Sequence, residues 1–188
     1  MKIDSRSHQL AKITLFAALM AALGLIPKID LPFGVPVTLQ SLGPMLAGCL
    51  LGARLGLQSQ ALFLFAVALG LPLLAGGRGG LAVFMSPTSG YLIGFPLAAF
   101  TCGLIMQLCR ARSPKMVALH AFFACLAGGI LVQHASGVIG LVLLAGLSVK
   151  QALLATLMFV PGDLLKCCLT GLIVHTVVKG LPDWRIQR

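Results

Sequence analysis

The sequence predicts an all-α membrane protein, and three observations carry that prediction. Hydrophobic residues make up 59% of the 188 residues and charged residues 10%, with a mean hydropathy of +1.03, whereas soluble domains carry about a quarter charged residues. Several apolar runs reach the ~17–25 residues that a helix needs to cross a hydrocarbon core. Alternating strands of roughly ten residues, the mark of a membrane barrel, do not occur, and helices are the other way to pair every backbone N–H and C=O in lipid.

Six transmembrane helices follow in order, within a single integral membrane domain over 1–188. The first covers about 10–27 and stops at Pro27. It resembles a secretory signal in having basic residues before LFAALMAALGLI, but no clear A-x-A cleavage site follows and the rest of the chain is equally apolar, so a retained span is expected. A loop stiffened by Pro32 and Pro36 leads to a short second helix, about 40–52, closed by the basic turn GARLG. The third, about 55–74, runs into AGGRGGLAVFMSPT, a loop by its glycines and Pro87. The fourth spans about 88–109 and precedes the basic connection CRARSPK. The fifth, about 116–146, is expected to break at Gly128-Gly129; the sixth, about 161–179, opens on Pro161-Gly162.

The formal net charge of +10 would suggest nucleic acid in a soluble protein, but here Lys and Arg gather in short connections between apolar runs. A cytoplasmic N-terminus puts Lys2, Arg6, Lys12, Arg54, Arg110, Arg112, Lys115, Lys179, Arg185 and Arg188 on the inner side and only Lys28, Arg78 and Lys150 outside, in keeping with the positive-inside rule. Both termini are then cytoplasmic, in a multi-pass protein of the plasma membrane that binds no nucleic acid. Lys166 is left inside the membrane.

Acidic residues are few: Asp4, Asp30, Asp163 and Asp183. Asp163 and Lys166 fall in the first turns of the last helix, three residues apart and so on one face. Intramembrane charges are costly and usually functional, so the pair is either an outward-opening ligand site or an ion pair that fixes helix packing. On the same side, AGGRGG sets backbone N–H groups of Gly76 and Gly77 beside Arg78, which suits a carboxylate; a solvated loop arginine is the alternative. Thr38 and Gln40 follow two prolines and suit a neutral amide-like group. Tyr91, the only tyrosine, either stacks on a ligand or sits in the interfacial aromatic belt.

Ala17 over Ala21 and Ala18 over Ala22 form small-x-x-x-small ridges in the first helix, as Gly90 and Gly94 do in the fourth; such ridges let helix backbones approach closely, within the chain or with a partner. The six cysteines lie mainly in apolar runs with no metal-ligand spacing, and the four histidines form no H-E-x-x-H or triad pattern. The cysteines are expected to serve packing, and the histidines packing or the membrane interface. No phosphate loop and no G-x-S-x-G elbow occurs, so neither an ATPase nor an esterase is expected, and no metal or cofactor.

VPVTLQ after the first helix, GLPLLAGGRGG followed by MSPTSGYLIGF, and FVPGDLLK opening the last helix resemble the BioY family, the biotin-specific substrate-binding (S) components of energy-coupling factor (ECF) transporters. The likeness covers nearly the whole chain. It implies an S-component bundle with an outward-facing cavity that binds biotin and carries out no covalent chemistry. It also implies a membrane coupling (T) component, met by an alanine motif that Ala17, Ala18, Ala21 and Ala22 match, and a pair of ABC-type ATPases that alone use ATP. Asp163 would accept from the ureido N–H groups, and Lys166 or Arg78 would meet the carboxylate or the ureido oxygen. A proton-coupled secondary transporter or channel for a small polar solute, with Asp163 taking up the proton, is the first alternative. A membrane enzyme using Asp163 as base is the second.

Overall fold

The structure is a computed structural model and describes residues 6–30, 36–108 and 113–181. Pro32, the basic stretch around Arg110 and Arg112, and the terminal Lys2, Arg185 and Arg188 lie outside the described residues. Helix α1 (Arg6–Gly24) leads to a minimal antiparallel pair, β1 (Ile29–Asp30) and β2 (Pro36–Val37), with Ile29 opposite Val37. A 3-10 turn over Leu39–Ser41 enters α2 (Leu42–Leu51), and α3 (Ala53–Ala68) follows after Gly52. Then come α4 (Ser89–Leu108), α5 (Pro114–Cys125), a π-helical stretch Leu126–Val132, α6 (Gln133–Ala145), α7 (Val149–Leu157) and α8 (Val160–Gly180).

Three helical stretches among the described residues are long and apolar enough to cross a membrane: Ser89–Leu108, Pro114–Ala145 and Val160–Gly180. Shorter apolar helices, Leu39–Leu51 and Ala53–Ala68, pack beside them. The all-α membrane bundle expected from composition is the architecture observed, but several boundaries differ. Helix α1 ends at Gly24, three residues before Pro27, and α3 ends at Ala68, leaving Leu69–Leu74 to the loop. Gly128 and Gly129 do not break the fifth helix; they widen it into a π turn. Without side chains there, the backbone can close on Cys102 and Ala98 of α4 and on Met45 of α2. A β-carbon would fill that gap.

Helix α4 is the hub, packing on α2, α3, α5 and α6. Its contact with the turn between α2 and α3 is backbone on backbone: a β-carbon at Gly103 would collide with Gly52 and Ala53. Gly90 and Gly94, the ridge expected to bring helices together, do so against Gly140, Gln133 and Ser136 of α6. Cys49, Cys102, Cys125 and Cys167 meet in one buried cluster with Met45, Met106 and Val174, where sulfur fills irregular gaps between helices as a small hydrophobe does. Cys49 and Cys125 approach to 3.7 Å between sulfurs.

Helix α7 is absent from the sequence-based reading. Ser148 and Gln151 form a reciprocal capping box at its start, the Ser148 hydroxyl accepting from the Gln151 N–H at 3.3 Å and Gln151 Oε1 accepting from the Ser148 N–H at 2.9 Å. Ala152, Ala155 and Thr156 face inward against Leu141 and Phe159, while Leu153, Leu154 and Leu157 are exposed. This short helix hands the chain directly to the start of α8, where the charged pair lies.

Candidate functional site

A cavity enclosing about 590 Å³, part of it open to solvent, lies where the ends of several elements converge. Leu74, Leu92, Phe95 and Phe159 supply apolar walls. Tyr91 (α4), His134 (α6) and Phe159 pack edge to face, with ring centroids 5.9–6.4 Å apart. The Tyr91 hydroxyl shares a 2.8 Å hydrogen bond with Thr156 of α7. Tyr91 thus lines the cavity and is anchored at its polar tip.

Asp163 and Lys166 lie at the start of α8, and Asp163 sits where the positive end of the helix dipole favours a carboxylate. They are 4% and 8% exposed, so their charges must be satisfied by protein or ligand. Lys166 Nζ donates to Asp163 Oδ1 at 2.8 Å, to Ser41 Oγ at 2.7 Å and to the Thr38 carbonyl at 2.8 Å. Those three bonds use all three ammonium protons. The Ser41 hydroxyl then donates to Asp163 Oδ1 at 3.1 Å, closing a ring between α8 and the 3-10 turn. His134 Nε2 lies 2.8 Å from Asp163 Oδ2; the carboxylate can only accept, so this ring nitrogen carries the proton. Asp163 therefore accepts three bonds of the roughly four an ionised carboxylate can take.

Arg78 reaches the same cavity from the glycine loop. Leu74 and Arg78 pair backbone to backbone, and Gly76 and Gly77 turn the chain between them with φ of 81° and 69°, a conformation that glycine adopts without strain. The Arg78 Nε–H donates to the Ala75 carbonyl at 3.4 Å, while its two terminal nitrogens have no protein partner among the described residues. Gly76 and Gly77 do not line this cavity; they border a second hollow beside Lys28 and Pro72.

Gln40, expected to offer a donor and an acceptor, has spent both on the backbone. Its Nε2 donates to the carbonyls of Met20 at 3.2 Å and Leu73 at 3.0 Å, and its Oε1 accepts from the Ala75 N–H at 2.9 Å. It thereby ties α1 to the loop that carries Arg78. Gln40→Leu is expected to lower stability by about 1–3 kcal/mol, the cost of leaving buried polar groups unpaired, and to be read as a lower melting temperature of the detergent-purified protein. Thr38 contributes through its carbonyl, as the acceptor for Lys166.

His134, expected from the sequence to be a packing or interfacial residue, is a partner of Asp163. Ser41, Gln133, Phe159 and Thr88 also line the cavity and were not singled out. The alanines of α1 lie away from it. Ala17 and Ala21 are half-buried against the cluster of Met20, Phe63 and Val67, whereas Ala18 and Ala22 are exposed.

The protein-family model described as the BioY family matches residues 1–183. The chain belongs to the BioY family. Among its relatives is a Rhodobacter capsulatus protein named biotin transporter BioY, 48% identical over 185 residues that cover 94% of this chain and 96% of that one. A Rhizobium etli protein of the same name is 42% identical over 179 residues, with the same coverage. The crystal structure of the S-component for biotin from an ECF-type ABC transporter superposes with a TM-score of 0.85 at 31% identity, over 95% of both chains. The fold class read from the sequence and the BioY resemblance thus agree with both kinds of comparison.

Proposed function

We propose that this BioY-family chain is the substrate-capture subunit of an ECF-type transporter and that it takes biotin into the cavity between Asp163 and Arg78. The observation that carries the reading is the division of charge within that cavity. At the α8 end, Lys166 is saturated by protein acceptors and Asp163 keeps room for one more donor. At the loop end, the two terminal nitrogens of Arg78 have no protein partner among the described residues. Biotin is a molecule of matching design, with a neutral ureido ring that offers two N–H donors, an apolar thioether body, and a chain ending in a carboxylate. Asp163 accepts from the ring, the aromatic and leucine walls enclose the body, and Arg78 meets the carboxylate. Lys166 acts on Asp163, holding its orientation and compensating its charge. Thr38, Gln40, Gly76 and Gly77 position these groups, and Tyr91 forms part of the wall.

The chain has no motor of its own in this reading. A coupling component and ABC-type ATPases supply the work, the exposed face of α1 bearing Ala18 and Ala22 meets the coupling component, and the protein catalyses no reaction. The chain spans the plasma membrane six times, with both termini cytoplasmic, as the placement of Lys and Arg favours.

Isothermal titration of the detergent-purified protein with biotin and with biotin methyl ester tests the assignment. Arg78→Ala is expected to weaken biotin by about tenfold to a hundredfold, as for loss of a hydrogen bond to a charged group, and to leave the already weaker methyl ester unchanged. Equal losses for both ligands would remove Arg78 from the carboxylate. Uptake into vesicles that needs no ATP and collapses with the proton gradient would favour a proton-coupled carrier instead.

A further inference from the structure

Gln133 opens α6 one residue before His134, lines the cavity and is 3% exposed. Its side-chain oxygen has no hydrogen-bond partner among the described residues. An unpaired buried carboxamide oxygen costs free energy in the empty protein, and that cost is recovered if a ligand donor reaches it. Among the described residues two other buried side-chain oxygens are unpaired, Gln60 Oε1 and Thr170 Oγ1, but neither residue lines the cavity.

The ring edge of biotin presents two N–H donors on either side of one carbonyl. Asp163 accepts from Lys166, Ser41 and His134 and has room for about one further donor. The second ring N–H then needs an acceptor other than Asp163. The hydroxyls of Tyr91 and Thr88 and the Gln40 oxygen already take part in hydrogen bonds, with Thr156, Ser86 and Ala75, whereas the Gln133 oxygen is the buried cavity-lining side-chain acceptor without any partner among the described residues.

We propose that Gln133 is a specificity-determining residue of this site: its carboxamide pairs with one side of the cyclic urea, the oxygen accepting the second ring N–H and the NH₂ donating to the ureido oxygen. The inference rests on the biotin reading above. A neutral amide is suited to this task because it matches an N–H and a C=O held side by side, whereas a second carboxylate would place two like charges beside each other. The site thereby discriminates against rings that lack either N–H, since each missing donor leaves a buried acceptor unpaired.

Two variants of the full-length chain test this, Gln133→Leu and Gln133→Met, titrated with biotin and with the two cyclic carbamates in which one or the other ring N–H is replaced by oxygen. Both variants are expected to weaken biotin about tenfold or more. For one carbamate the variants lose less than they do for biotin, because the N–H contact is already missing and only the contact to the carbonyl oxygen remains; for the other, they lose as much as for biotin. The ratio of biotin to methyl-ester affinity stays as in wild type, since Arg78 is untouched. The melting temperature without ligand does not fall, because the substitutions remove an unpaired oxygen. Wild-type biotin affinity in both variants overturns the proposal, as does an equal loss for biotin and both carbamates, which marks a merely structural role. A wild-type protein that binds no biotin overturns the parent reading and this inference with it.

Discussion

Asp163→Asn is expected to weaken biotin binding by far more than tenfold in titration calorimetry, the largest loss of any single substitution in the cavity. The carboxylate accepts from three protein donors at once, Lys166, Ser41 and His134. An asparagine has one oxygen and one NH₂, so whichever way it turns, a donor faces either the Lys166 ammonium or the protonated nitrogen of His134. Lys166 also loses its counter-charge while 8% exposed. Breaking one member of a buried, hydrogen-bonded charge pair costs roughly 2–5 kcal/mol, or about thirtyfold to several-thousandfold in affinity.

A structural ion pair would also be damaged by this substitution, so the double variant with Lys166→Met decides between the two meanings of the pair. If the pair serves only to staple α8 to the Leu39–Ser41 turn, removing both charges restores much of the stability and the binding with it, because an apolar replacement of a buried pair is often tolerated. If Asp163 contacts biotin, stability recovers in the double variant and binding does not. Wild-type affinity in Asp163→Asn alone would remove the site from this end of the cavity.

The sequence made the bundle and the charged pair legible for the same reason: in lipid, departures from apolar composition stand out. Asp163 and Lys166 are conspicuous at i and i+3, and Arg78 is marked by the glycines around it. Their distant partners are not marked. Ser41 meets Asp163 across 122 residues of chain, and a serine after VTLQ carries no sign of that. His134 and Gln133 are isolated polar residues in a 32-residue helical stretch, where no periodicity distinguishes a ligand from a packed residue. Gly76 and Gly77 were read as an anion cradle because glycine exposes backbone N–H groups; the structure uses them to turn the chain at Arg78. Helix α7 did leave a signal, the Ser148-x-x-Gln151 capping box, but nine residues between longer apolar runs are easily absorbed into a neighbour.

Ala18→Trp and Ala22→Trp are expected to abolish biotin uptake in cells while leaving titrated biotin affinity within about twofold of wild type, because close helix approach depends on small residues. The structure divides the four alanines between two faces. Ala17 and Ala21 pack inward against Met20 and Phe63, whereas Ala18 and Ala22 point outward beside Leu15 and Leu25, which are 64% and 83% exposed. None of the four lines the cavity. An indole at Ala18 or Ala22 therefore bars a partner helix without touching the ligand. Ala17→Trp and Ala21→Trp serve as the contrast, since an indole forced into the core costs about 1–3 kcal/mol or more and should lower the melting temperature and disturb binding through Met20, whose carbonyl holds Gln40. Normal uptake by Ala18→Trp and Ala22→Trp would move the coupling surface off α1. Loss of binding in those two variants would mean that the outer face of α1 supports the cavity after all, through the same Met20–Gln40 link that fixes the loop of Arg78.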